Sequence, residues 1–177
     1  MRYAALFRGI NVGGNKMLAM AELRALLAGL GFQDVTTYLQ SGNAVFSCPD
    51  QPPLALATAI EERVAAELGV RMRVMIRTSS ELADVVSRSP LPDGPKNPSR
   101  FLVAFLSAVP DPAAVRDIEA QTFGEDRIWI SGAEAYLWCP NGVADSPLTK
   151  GLDKRLGVTT TSRNWNTVSK LVSLVSG

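Results

Sequence analysis

Val35-Thr36-Thr37-Tyr38-Leu39-Gln40-Ser41-Gly42-Asn43-Ala44-Val45-Phe46-Ser47-Cys48 decides the fold. Two β-prone runs, 35–39 and 44–48, flank the turn-rich tetrad Gln40-Ser41-Gly42-Asn43, so the stretch predicts a hairpin. Upstream, Met20, Leu23, Leu26, Leu27 and Leu30 recur at helical spacing, with Gly31 placed as a left-handed C-cap. Before them the apolar run Tyr3–Arg8 predicts a strand buried on both faces. Downstream, Pro52 and Pro53 open a second helix, with Ala57, Ile60, Val64 and Leu68 on one side and Gly69 at its end. Val70, Met72, Val74 and Ile76 then alternate with Arg71 and Arg73, predicting a strand with one buried face and one wet, basic face. Strand, helix, strand, strand, helix, strand is the ferredoxin-like βαββαβ order.

A short helix around Leu82, Val85 and Val86 leads into residues 89–99, where Pro90, Pro92, Pro95 and Pro98 forbid regular structure. The order then repeats. Phe101–Leu106 reads as a strand, and Asp111 caps a helix with Pro112 at its first position. Residues 128–131 and 135–139 form a hairpin across Gly132, and Ser146-Pro147 opens a helix through Leu148, Leu152 and Leu156. Residues 158–161 supply a last short strand, and Thr161 or Ser162 caps a terminal helix striped by Trp165, Val168, Leu171, Val172 and Val175. The expected fold is α+β: two ferredoxin-like βαββαβ halves in tandem with an additional C-terminal helix. Its subdomains are 1–88 and 100–177, joined by a proline-rich linker at 89–99. A single mixed sheet is the alternative.

The chain has 177 residues, 46% of them hydrophobic, enough to bury a full core without staples. Eighteen basic against seventeen acidic side chains exclude a globally basic nucleic-acid binder. The charge is uneven: 150–177 holds five cations and one acid, 111–134 six acids and two cations. Cys48 and Cys139 lack CxxC spacing, which suggests buried or strand-end thiols in a reducing cytoplasm and no metal site. No run reaches the roughly 18 apolar residues of a membrane span, so a cytoplasmic protein without membrane contact is expected. The absence of histidine excludes Ser-His-Asp and Cys-His nucleophile activation. Acid-base work is left to Asp, Glu, Lys, Cys or Tyr.

Gly9-Ile10-Asn11-Val12-Gly13-Gly14-Asn15-Lys16 lies between a strand and a helix, where a phosphate cradle would sit. It is not a P-loop, because Asn15 intrudes before Lys16 and Met17 stands where a magnesium-binding hydroxyl belongs. A tight turn needing positive φ is the favoured account of the glycines, ahead of anion binding. Thr161-Ser162-Arg163-Asn164-Trp165 places hydroxyls, an arginine and an amide at the start of the last helix, where free N–H groups attract an anion. Capping by Ser162 or Thr161 and core packing of Trp165 is the alternative there. The tetrad 40–43 and the segment Asp145-Ser146-Pro147-Leu148-Thr149-Lys150 are each explained by turn or capping chemistry.

Five strings resemble a known family, the bacterial domain-of-unknown-function 1697 family. They are Leu6-Phe7-Arg8-Gly9-Ile10-Asn11-Val12-Gly13-Gly14, Met20-Ala21-Glu22-Leu23, Thr37-Tyr38-Leu39-Gln40-Ser41-Gly42-Asn43, Tyr136-Leu137-Trp138-Cys139-Pro140-Asn141-Gly142, and the run from Thr161 to Leu171. The resemblance runs end to end and implies an α+β fold. It carries over no activity and no catalytic residue. In the family a lysine often follows the serine at the position of Ser146, where this chain has Pro147.

The polar segments are rich in donors and poor in carboxylates, the reverse of a hydrolytic metal site. The leading expectation is therefore a binding module, without cofactor or metal, for an anionic, phosphate-bearing small ligand or nucleotide. Its expected contacts are Arg8, Asn11, Gly13, Gly14, Lys16, Ser41, Gly42, Asn43, Lys150, Arg163, Asn164 and Trp165. Nucleic acid ranks below a small ligand, since Arg71 and Arg73 lack the aromatic pair of an RRM sheet. One alternative is a transferase-type enzyme using Lys16, Lys150 or Tyr38 as acid or base. The other is a structural or homodimeric interaction module, which predicts Arg163, Asn164 and Asn43 buried and bonded within the protein.

Overall fold

β1 (Arg2–Arg8) is buried continuously from Tyr3 to Phe7, as a strand covered on both faces must be. In the computed structural model, which describes residues 1–10, 18–39 and 42–177, it pairs on one side with β3 (Asn43–Ser47) and on the other with β4 (Arg73–Thr78). β2 (Gln33–Tyr38) completes a four-stranded antiparallel sheet of order β2-β3-β1-β4. α1 (Met20–Gly29) and α2 (Pro53–Leu68) provide the connections, and Gly69, at φ 65, ends α2 in the left-handed region. Tyr3, Ala5, Phe7, Phe46, Val74 and Ile76 share one core with Leu23, Leu27, Ile60 and Val64 of these helices. α3 (Ser79–Ser87) follows β4 directly. Its start is a capping box in which Thr78 Oγ1 accepts from the Glu81 amide at 3.1 Å and Glu81 Oε2 accepts from the Thr78 amide at 2.8 Å.

The order recurs. β5 (Phe101–Leu106), α4 (Pro112–Glu119), β6 (Arg127–Ser131), β7 (Glu134–Trp138), α5 (Leu152–Leu156) and β8 (Thr160–Asn164) form a second antiparallel sheet, β6-β7-β5-β8. Asp111 caps α4, accepting from the Ala113 amide at 2.7 Å. Leu102, Ala104, Leu106 and Leu137 pack with Ile118, Leu152 and Leu156. α6 (Trp165–Ser176) closes the chain, with Val168, Leu171 and Val175 buried. The protein is thus α+β in two tandem halves plus a C-terminal helix, with two separate sheets in place of one mixed sheet. Its compact units are Met1–Leu82 with Leu171–Gly177, and Ala83–Lys170. Both cysteines are buried and free. Among the described residues no helix is long and apolar enough to cross a membrane.

Three local expectations are corrected. The wet, basic strand face does not extend along β4: Arg73 is exposed, but Met75 and Arg77 on the same face are buried, and Arg71 precedes the strand. Ser146-Pro147 opens only a turn, because Gly151 at φ 70 breaks the helical path and α5 starts after it. Arg163 lies in β8, opposite Val103, instead of at a helix start. The cap of α6 is Asn164, whose Oδ1 accepts from the Thr167 amide at 3.0 Å.

Candidate functional site

In the first sheet β1 ends where β3 and β4 begin, since Leu6 pairs with Asn43 and Arg8 with Arg73. That edge therefore receives two of the segments singled out from sequence, the one leaving β1 and the hairpin turn entering β3. They touch. The Phe7 amide donates to the Gly42 carbonyl at 2.9 Å. Gly42 has φ 93, and a Cβ there would stand 2.5 Å from Ile10 Cδ1 and 2.8 Å from Phe7 Cβ, so only glycine fits the junction. Asn43 is fully buried and donates from Nδ2 to the Tyr38 carbonyl at 2.9 Å, tying the two strands of the hairpin across the turn. Leu39, half exposed, holds φ 58, a conformation that bulky side chains rarely adopt.

The charge at this edge is positive. Arg8 and Arg73 are cross-strand neighbours, an arrangement that is unfavourable between like charges. Glu61 of α2 relieves part of it: its carboxylate lies 3.2 Å from Arg73 Nη1 and accepts from the Val74 amide at 2.8 Å. Arg73 escapes a reading of the sequence as a site residue, because only the long-range pairing of β1 with β4 sets it beside Arg8. Asn11, Gly13, Gly14, Lys16 and Ser41 lie outside the described residues.

The other four expected positions belong to the second unit, and Arg163, Asn164 and Trp165 lie at the opposite end of its own sheet, where Leu102 of β5 pairs with Asn164. Lys150 is exposed on the turn before α5. Arg163 is buried and donates from Nη1 to Thr161 Oγ1 at 2.8 Å and to the Ser162 carbonyl at 2.9 Å. Burial lowers its pKa to about 10, a cost that falls on the charged form. Asn164 caps α6, and the Trp165 ring packs at 5.3 Å from that of Phe101.

The same unit carries a polar cluster of which the sequence singled out only the Ser146 segment. Ser146 Oγ donates to Asp126 Oδ2 at 2.5 Å and accepts from the Leu148 amide at 3.1 Å, with both side chains buried. Burial raises the pKa of Cys139 beside them. Arg88 pairs with buried Glu134 at 3.0 Å and donates to the Ser131 carbonyl and hydroxyl. Tyr136 donates to the Val85 carbonyl at 2.7 Å, and burial pushes its pKa up to about 12. Every one of these bonds holds a connection or strand of its own unit in place.

The lengths of the connections separate the two halves. At the edge described for the first sheet, β1 to α1 takes residues 9–19 and β2 to β3 takes 39–42; the equivalent connections of the second half take 107–111 and 132–133. The frame closes with five and two residues where the first half uses eleven and four.

The family model described as protein of unknown function, DUF1697, matches residues 1–136. A solved structure, that of the conserved bacterial protein SP0830 from Streptococcus pneumoniae, has a TM-score of 0.80 to this chain at 23% identity, covering 98% of each. At that identity the likeness is one of fold. No curated protein matches the chain.

Proposed function

The chain belongs to the DUF1697 family of proteins of unknown function, and on that footing we propose that it binds a phosphate-bearing small ligand or nucleotide at the edge where β1 ends and β3 begins. The observation that supports this is the pair of lengthened connections meeting at that edge, beside Arg8 and Arg73. Extra residues that a frame does not need, placed on one edge of a rigid sheet, are where binding groups are expected. Arg8 and Arg73 supply positive charge suited to bidentate phosphate contact. Asn11, Gly13, Gly14, Lys16, Ser41 and Gly42 supply backbone and side-chain donors from the two connections. Lys150 and Trp165 belong to the second unit and are not assigned to this site.

For Arg163, Asn164 and Asn43 the second reading is favoured, that of residues holding their own unit together. Each is bonded within the protein, to Thr161 and Ser162, to Thr167 and to Tyr38 respectively.

The test follows the melting temperature at low salt with inorganic phosphate, ADP, a phosphosugar and short RNA. A site filled at about 100 times its dissociation constant adds roughly 2.7 kcal/mol of stability. The expected result is a rise with one of the small phosphates that Arg8→Ala combined with Lys16→Ala abolishes. A rise with RNA alone, steeply salt-dependent, or no rise with any anion overturns the reading.

A further inference from the structure

Two of the three tryptophans sit on the second sheet, on the face turned away from the core that α4 and α5 cover. Along β6, Ile128 and Ile130 pack against the core formed with α4 and α5, so Trp129 between them faces the other way. Along β7, Leu137 joins that core and Trp138 faces away from it. The register pairs Trp129 with Tyr136 and Arg127 with Trp138, which makes the two indoles diagonal neighbours on one face. Such neighbours stand roughly 7–8 Å apart at the backbone, within reach of one another's aromatic side chains.

The segment before β5 completes a cleft over them. The Gly94 amide donates to the Leu91 carbonyl at 2.9 Å, and Gly94 at φ 77 turns the chain, so that Pro92, Asp93, Pro95 and Lys96 line the cleft with Trp129 and Trp138. Its volume is about 620 Å³, within the range of small-molecule sites. Both tryptophans are only half buried. The lining is apolar except for one carboxylate and one ammonium, both on exposed residues. This combination of stacking surface, one acceptor and one cation is chemically selective.

We propose that this cleft binds a planar heteroaromatic ring of the nucleobase class, stacked on Trp129 and Trp138. The Asp93 carboxylate accepts from the ring's exocyclic amine and the Lys96 ammonium faces an anionic substituent. Aromatic stacking holds any flat ring; Asp93 is what separates an amine-bearing base from a bare aromatic. The site is independent of the phosphate site proposed above, since its lining residues all belong to the second unit.

The test is quenching of tryptophan fluorescence by adenosine, AMP and purine riboside, which lacks the exocyclic amine. Adenosine and AMP are expected to quench saturably, AMP with the higher affinity. Trp129→Phe and Trp138→Phe are each expected to weaken binding, and Trp129→Ala by roughly fivefold or more. Asp93→Asn, on an exposed loop where folding is not at risk, is expected to weaken adenosine and leave purine riboside unchanged. Lys96→Ala is expected to remove the advantage of AMP over adenosine. Three results overturn the proposal: no saturable quenching at millimolar nucleoside, full affinity in the Trp129→Ala and Asp93→Asn variants, or binding of a proline-rich peptide or phenylalanine where adenosine fails.

Discussion

The two halves place different residues at the same points of one frame. Arg77 of β4 pairs with Ala4, as Arg163 of β8 pairs with Val103; Asn43 opens β3 opposite Leu6, as Glu134 opens β7 opposite Phe105. Each half thus buries an arginine and a polar hairpin residue at equivalent positions, with almost no sequence in common. What differs is where each half is long. The first lengthens the connections at the end of β1. The second lengthens those at the other end of its sheet, with 120–126 before β6 and 139–151 after β7. Its long connections are stitched by Asp126, Ser146 and Thr149, whose bonds close them on themselves. The lesson is that length alone does not mark a site. The first half's edge combines length with a buried glycine junction, a strained leucine and facing arginines.

The largest expected effect tests whether that junction is special. Gly42→Ala combines a left-handed backbone, costing about 1–2 kcal/mol, with overpacking against Phe7 and Ile10, costing about 1–3 kcal/mol. Gly132 occupies the equivalent hairpin at φ 62, but a Cβ there meets only the flexible end of Arg88, at 3.6 Å. Gly132→Ala should therefore lose only the backbone part, about 1–2 kcal/mol. Urea unfolding of both variants measures the difference. Equal losses would make the two turns energetically alike and remove the contrast on which the proposed site rests.

The next effect belongs to the second half. Tyr136 stands where the first half has Val45, each paired with the strand residue opposite the buried arginine. Above pH 10 the unfolded chain releases the phenolic proton while the folded chain holds it up to about 12, so stability falls across that interval. Two pKa units at ~1.4 kcal/mol each give a loss of about 3 kcal/mol. Arg163 acts in the opposite sense, since its pKa is lowered to about 10 by burial and raising the pH relieves a buried charge. Tyr3, also raised by burial, adds to the fall. Tyr136→Phe should remove this loss from the alkaline limb of the stability curve, so that the variant gains about 3 kcal/mol on the parent between pH 10 and 12, although it gives up the Val85 hydrogen bond, about 1 kcal/mol, at neutral pH. An unchanged limb would mean that the phenol does not titrate in this window.

The strands and most helices were legible because their signals are local: β1 and β5 as apolar runs, α1 and α2 as 3.6-residue stripes ended by glycine, α4 by its Asp-Pro cap. Two of the three errors fall where distant contacts decide. Thr160–Asn164 is polar on both faces and offers no period, so only pairing with β5 shows that Arg163 is a strand residue. The basic face read from Arg71 and Arg73 stops at Arg73, since tertiary packing buries Met75 and Arg77 beyond it. At the proposed edge, Arg8, Gly42 and Asn43 were visible as members of unusual strings, whereas Arg73 depended on register. The cleft at Trp129 and Trp138 was invisible for the same reason, since strand alternation does not say which loop covers a face.

The smallest effect is the most discriminating. Leu39 holds φ 58 while half exposed, just before the turn, so neither packing nor backbone preference explains a leucine there. Asparagine tolerates this region far better, and Leu39→Asn should stabilise the chain by about 0.5–1 kcal/mol. If the strain serves the fold, for instance by holding Gly42 against Ile10, the variant will instead lose stability. If it serves the proposed ligand, stability rises while the phosphate-dependent increase in melting temperature shrinks, because strained residues persist where function over-determines them. A gain in stability with the ligand effect intact would mean that Leu39 contributes to neither, and the edge would then rest on Arg8, Arg73 and the two long connections alone.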